Sequence, residues 1–177
     1  MTKGNCRFCN ELLQINFVDL GFSPLSNSFL KKQDLEKKEN TYPLHAYICE
    51  KCLLVQLEEY ENPENIFSEY AYFSSYSKTW LNHAKSYCEL MIKKLKLNES
   101  NQVIEIASND GYLLQFFKDR NIPVLGIEPA LNIAKVAQEK DIPTISKFFG
   151  VKTAKELINK GIDADLVLGN NVLAHVP

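Results

Sequence analysis

The 177-residue sequence contains no long hydrophobic run. A helix needs roughly 20 consecutive apolar residues to cross a bilayer, and none of its segments approaches this. The start, M-T-K-G-N-C-R-F-C-N, also lacks the apolar stretch of a secretory signal, so a cytoplasmic chain with no membrane partner is expected. Neither sign of charge dominates. Twenty lysines and arginines stand against 22 acids, for a net charge of -2 and a pI near 6.0, which removes the electrostatic footprint of a nucleic-acid binder. Internal repeats and low-complexity tracts are missing as well. Glycine is scarce, with seven in the chain, and nowhere do they form G-x-G-x-x-G, the pattern that lets a backbone approach a dinucleotide pyrophosphate.

What is present divides into three parts. At this length one core with a small stapled appendage is the size expectation. Residues 1–62 hold short β-like runs, Gln14 to Leu20 and Leu44 to Ile48, punctuated by Gly21, Pro24, Asn27 and Pro43. Residues 63–77 form a connector dense in aromatics and serine, with no clean period. From residue 78 to 177 strand-like and helix-like patterns alternate. An amphipathic helix over Lys78–Leu97 presents Trp80, Leu81, Ala84, Tyr87, Cys88, Met91, Ile92 and Leu95 on one face. Strands at Val103–Ala107, Val124–Ile127, Thr144–Ile145 and Leu166–Leu168 are separated by helices at Tyr112–Arg120, Leu131–Lys140 and Lys152–Asn159. Connections of this length between apolar strands build right-handed parallel βαβ units. The fold class is therefore α/β, a Rossmann-like doubly wound sheet in strand order 3-2-1-4, preceded by a small zinc-binding β-rich domain.

The zinc expectation comes from spacing. Cys6-x-x-Cys9 and Cys49-x-x-Cys52 are two knuckles that can each turn two thiolates toward one point, completing a tetrahedral sulfur site. Reduced core cysteines are the alternative, but Asn5, Arg7, Glu50 and Lys51 are poor neighbours for an apolar interior. Four protein ligands leave no open position, so the metal would be structural, stabilising a unit with few apolar residues by on the order of 10 kcal/mol. His45 is expected to be a strand histidine satisfied by a neighbour, and Cys88 a buried, inert thiol. His83 is expected to be a packed boundary residue.

The first strand, loop and helix of the sheet, V-I-E-I-A-S-N-D-G-Y-L-L-Q-F-F, sit where nucleotides bind in open α/β sheets. In this loop Gly111 alone offers free φ, and Glu105 and Asp110 place negative charge where phosphates would lie. A ligand carrying a sulfonium and an ammonium suits that loop better, with the amides receiving its small carboxylate; S-adenosylmethionine has this chemistry. Glu128 ends the next strand in G-I-E-P-A, where a carboxylate can accept both ribose hydroxyls, and Pro129 stops that strand. Phe148 and Phe149, at the following junction, are either a wall for adenine or a core pair. After the fourth strand, G-N-N-V-L-A-H brings Asn170, Asn171 and His175 to the carboxyl ends of the strands; His175 is equally readable as a helix-cap or core histidine.

Taken together, C-R-F-C, D-L-G-F-S-P-L-S-N-S-F-L, I-C-E-K-C-L-L-V-Q-L, Y-F-S-S-Y-S, I-E-I-A-S-N-D-G-Y-L-L, G-I-E-P-A and N-N-V-L-A-H-V-P resemble the N-terminal part of the sugar C-methyltransferase family, whose members methylate a carbon of nucleotide-linked 4-keto deoxysugars. The resemblance implies zinc on Cys6, Cys9, Cys49 and Cys52. It implies S-adenosylmethionine contacts from Glu105, Ala107, Ser108, Asn109, Asp110, Gly111, Glu128, Asn170 and Asn171, to which the reading of the junction residues adds Pro129, Phe148 and Phe149 as candidates. It also implies a tyrosine in the sugar pocket, with Tyr76 or Tyr72 the candidates; His175 is a further catalytic candidate, favoured in a positioning role. Family members continue well beyond the equivalent of Pro177, into a region holding a Glu-His pair implicated in proton abstraction. The chain is accordingly expected to be a fragment, or to need a partner that completes the sheet along its exposed last strand. A non-catalytic zinc- and S-adenosylmethionine-binding module is the alternative function.

Overall fold

The computed structural model describes residues 4–68 and 70–173. The chain divides into two compact units, one up to Ile66 and one from Phe67.

The first unit is a three-stranded antiparallel sheet, β1 (Ile15–Ser23), β2 (Tyr42–Ile48) and β3 (Val55–Leu57), in that order. β1 runs further than the sequence suggests, because Gly21 does not end it. The register of β1 on β2 slips between Asp19 and Phe22; Gly21, at φ 76, takes up the slip while its N–H donates to Asp19 Oδ1 at 2.8 Å. Pro43 likewise lies within β2, opposite Phe22, instead of breaking it. His45 faces Asp19 across the ladder, with Nε2 2.7 Å from Oδ1, the neighbour expected for it. The buried cluster of this unit is small: Cys6, Leu13, Tyr47 and Cys49. Helix α1 (Pro63–Phe67) follows.

The second unit opens on irregular backbone that includes a 3-10 turn at Ser74–Tyr76, then enters α2 (Lys78–Leu95). Ser77 caps α2, its side chain accepting from the Trp80 N–H at 3.2 Å. The helix stops two residues earlier than its apolar pattern suggests. Lys96 adopts the left-handed conformation (φ 56) and the Leu97 N–H returns to the Ile92 carbonyl at 3.0 Å, so Leu97 enters the core and Leu95 is left exposed. A lysine at this position gives no glycine signal by which the turn could be foreseen.

Four parallel strands follow: β4 (Val103–Ile106), β5 (Val124–Ile127), β6 (Thr144–Ile145) and β7 (Leu166–Leu168), ordered β6-β5-β4-β7. This is the expected 3-2-1-4 arrangement, with β4 central. Helices α3 (Leu114–Lys118), α4 (Leu131–Glu139) and α5 (Val151–Asn159) connect them. Alternation along β4 separates two cores. Val103 joins Ala84 and Cys88 of α2, Phe117 of α3 and Ala137 of α4, whereas Ile104 joins Leu125, Ile127 and Leu157 of α5. Helices thus cover both faces of the sheet, as in a Rossmann-like α/β fold. Among the described residues no helix is long and apolar enough to cross a membrane.

Candidate functional site

The two cysteine knuckles fold alike. Asn10 N–H donates to the Cys6 carbonyl at 2.8 Å and Leu53 N–H to the Cys49 carbonyl at 2.9 Å. Cys6 N–H reaches the Glu11 carbonyl at 2.7 Å, and Cys49 N–H the Leu54 carbonyl at 3.0 Å. Asn10 and Leu53 both take positive φ, 61 and 63, to close their turns. The four sulfurs fall within 4.8 Å of one another, with Cys6 to Cys52 at 3.6 Å and Cys9 to Cys49 at 3.5 Å. Zinc–sulfur bonds of about 2.3 Å in a tetrahedron place sulfurs about 3.8 Å apart, so the set fits zinc closely. Gln56 supports it from β3: Nε2 donates to Cys6 Sγ at 3.1 Å and Oε1 accepts from the Arg7 N–H at 3.0 Å. Backbone donation from Cys9, joined by Gln56 and Phe8, holds the Cys6 thiol down at about 6, while burial and the neighbouring sulfurs push Cys52 up to about 12, so without a metal the four thiols do not ionise together.

The second site lies at the carboxyl end of β4. Its loop carries positive φ at Ala107 (50), Asn109 (50) and Gly111 (75), so left-handed geometry is not confined to the glycine. Gly111 is nevertheless required, since a Cβ there would lie 2.9 Å from Ile142 Cγ1. Gly126, paired with Glu105 in the ladder, makes room for Ser108, whose Oγ lies 2.4 Å from where a Cβ would be.

Glu105, Ser108 and Asp110 are fully or almost fully buried, and each has one side-chain oxygen without a protein partner: Glu105 Oε2, Ser108 Oγ and Asp110 Oδ1. Glu105 Oε1 accepts from Asn170 Nδ2 at 3.3 Å; burial still pushes its carboxyl up to about 8. Asp110 Oδ2 pairs with Lys140 Nζ at 3.0 Å.

Other candidates are engaged in holding the turn. Glu128 accepts the Asn109 N–H on Oε2 and the Ala130 N–H on Oε1, both at 2.9 Å, while burial raises its carboxyl above the ordinary range. The Asn109 side chain reaches residues 72–74. The Pro129 carbonyl accepts from Ser146 Oγ at 3.2 Å. Phe149 packs with the α5 core and Phe148 is exposed. Asn170 bridges Glu105 and the Tyr112 hydroxyl, and Asn171, exposed, turns at φ 54. Tyr72 and Tyr76 are 56% and 87% exposed. His175 lies outside the described residues.

Three participants carried no sequence signal. Tyr112, buried, stacks on Trp80 at 5.9 Å and accepts from Asn170 Nδ2 at 3.2 Å; Trp80 in turn stacks on His83. Lys140 reads as an ordinary helix-end lysine yet neutralises Asp110. Asn132 binds the Tyr70 backbone. Each meets its partner from about 30 or more residues away or across a fold-specific turn. Cys88 behaves as expected: buried, with its thiol pushed to about 12 by burial.

A family described as "Putative zinc binding domain" matches residues 6–67. This span contains all four cysteines of the two knuckles. The chain is also 29% identical over 172 residues to the C-methyltransferase NovU of Streptomyces niveus, covering 97% of the chain and 41% of that protein. It thus spans about two-fifths of its relative's length. The C-methyltransferase resemblance drawn from the motifs is borne out by these two matches, and zinc is supported both by the family and by the sulfur geometry. A solved structure, the crystal structure of MccD protein, aligns over 48% of the chain and 30% of its own at 21% identity with a TM-score of 0.28, too low to carry an argument.

Proposed function

We propose that the chain is the zinc-binding and methyl-donor-binding part of an S-adenosylmethionine-dependent methyltransferase that acts on a carbon of a nucleotide-linked keto deoxysugar. The carrying observation is the set of three unpartnered buried oxygens on Glu105, Ser108 and Asp110. Each such atom costs about 1–3 kcal/mol unless a ligand supplies a donor. Asp110 Oδ1, and Glu105 Oε2 when ionised, are satisfied by donors and positive charge and not by a pyrophosphate, while the Ser108 hydroxyl can donate or accept.

Bound at this loop, the adenosyl compound would supply an electrophilic methyl group. Asp110 Oδ1, and Glu105 once it gives up its proton, are the acceptors that would meet its cationic end. The Glu128 oxygens retain lone pairs beyond those used by the two backbone N–H groups, so a ribose hydroxyl can still be accepted there. Phe148 is the ring at the β6–α5 junction able to cover adenine. Tyr72 and Tyr76 stand on the segment that borders the loop, where they can meet an oxygen of the acceptor sugar. The acceptor carbon becomes nucleophilic on losing a proton next to its ketone, which requires a general base.

Calorimetry with S-adenosylhomocysteine and with NADH, combined with a methyl-transfer assay on a nucleotide-linked 4-keto deoxysugar, tests this reading. Adenosyl binding with turnover supports it. Binding without turnover favours the second reading, a non-catalytic zinc- and nucleoside-binding module. Binding of NADH in place of the adenosyl compound overturns both.

A further inference from the structure

The backbone from Tyr70 to Ser75 is fastened to the rest of the second unit by side chains at three points. Asn109, buried, uses both ends of its amide: Oδ1 accepts the Ser74 N–H at 2.8 Å and Nδ2 donates to the Tyr72 carbonyl at 3.1 Å. That geometry replaces a rung of β-ladder with a side chain. Lys140 Nζ spans from Asp110 Oδ2 (3.0 Å) and the Asp110 carbonyl (3.1 Å) to Ser75 Oγ (3.1 Å). Asn132, on α4, accepts the Tyr70 N–H at 3.1 Å and donates to the Tyr70 carbonyl at 2.7 Å.

One of these three fastenings originates in the loop with the unpartnered oxygens, and a second, Lys140, is anchored to it through Asp110. Asn109 is flanked by Ser108 and Asp110, and its own N–H is held by Glu128 Oε2. Its left-handed backbone is therefore set by the carboxylate on one side, while its amide sets the segment on the other. A ligand whose hydroxyls donate to Glu128 favours the ionised carboxylate, and an ionised acceptor strengthens its bond to the Asn109 N–H. A ligand cation beside Asp110 would share that carboxylate with Lys140, so the link that tightens the segment runs through Glu128 and Asn109. The third fastening, Asn132, has no such link to the loop.

We propose that Asn109 is a positioning residue that couples occupancy of the donor loop to the segment 70–75, so that a bound donor firms the placement of Tyr72 and Tyr76. The nature of the ligand rests on the donor-site reading above. The segment is thus part of the donor site's response to binding and more than a tether between elements.

Amide exchange followed by NMR on the whole chain, with S-adenosylhomocysteine as the probe, tests the coupling at the Ser74 N–H. In the native chain the probe is expected to slow Ser74 exchange roughly tenfold, the scale of one strengthened hydrogen bond. Asn109→Gly permits the positive φ and removes the side-chain amide. In that variant Ser74 should exchange faster without ligand and lose its response, while Asn132→Ala retains the response. Should Asn109→Gly fail to fold, Asn109→Asp, which keeps the acceptor for Ser74 but loses the donor to Tyr72, should show a weakened response. A full Ser74 response in Asn109→Gly or Asn109→Asp, or binding to the native chain with no response, overturns the coupling and leaves the donor site standing. Failure of the probe to bind the native chain overturns both.

Discussion

Gly111 meets two demands that no other residue can meet together. Its φ of 75 excludes most side chains, and a Cβ would press on Ile142 at 2.9 Å. Gly111→Ala is expected to destabilise the second unit by about 1–3 kcal/mol and to weaken adenosyl binding, read by urea unfolding and calorimetry. Gly21 has nearly the same φ, 76, but nothing within 4 Å of a Cβ, so Gly21→Ala provides the comparison for φ without crowding. Glu105 yields a pH prediction. Its carboxyl rises from 4.5 to about 8 on folding, so between these values the folded chain holds a proton that the unfolded chain has lost. Stability from this group is present in full below 4.5 and falls as pH climbs through about 8, and Glu105→Gln should flatten that part of the unfolding profile. A cationic ligand requires the carboxylate, so its affinity should rise with pH up to about 8, with proton release measurable by calorimetry in buffers of different ionisation heat. Sequence inspection finds the acids of this loop from their sign, but not Lys140 or Tyr112, whose roles exist only once α4 and α2 have packed on the sheet.

Among the elements, β7 has one edge paired with β4 and, among the described residues, no strand on the other. Val167 on β7 is 52% exposed. An apolar strand edge with unpaired backbone groups is a template for another strand, so concentration-dependent self-association is expected by analytical ultracentrifugation, and Val167→Lys should reduce it. The alternation of strands and helices is readable because buried parallel strands are short apolar runs and their helices carry an apolar stripe. Boundaries are less legible. Lys96, Ala107, Asn109 and Leu53 adopt left-handed backbone without being glycine, because the packing of Leu97, the turn onto Glu128 and the closure of a cysteine knuckle outweigh a local preference of about 1–2 kcal/mol. The bulge that lets β1 continue through Gly21 belongs to the same class: it depends on the partner strand.

For the molecule as a whole, the first unit has four residues in its buried cluster and two of them are cysteines. A core that small cannot hold a sheet by apolar burial alone. Chelation is therefore expected to unfold the unit up to Ile66, measurable as loss of its β-sheet signals in NMR spectra, with one zinc released per chain. Cys49→Ser should act in the same direction by removing one of the four sulfurs. Restoring zinc to the chelated native chain should bring the signals back.

By itself the sequence determined the sulfur set, the order of strands and helices, and the sign of the loop that follows β4. All three follow from residue type and spacing along one stretch of chain. The tertiary structure alone decided how those parts are held. Glu128 became the anchor of Asn109, Asn109 the clamp on residues 72–74, and Lys140 the counter-charge of Asp110, because hydrogen bonds between side chains distant in sequence are selected by packing and leave no period or motif to read.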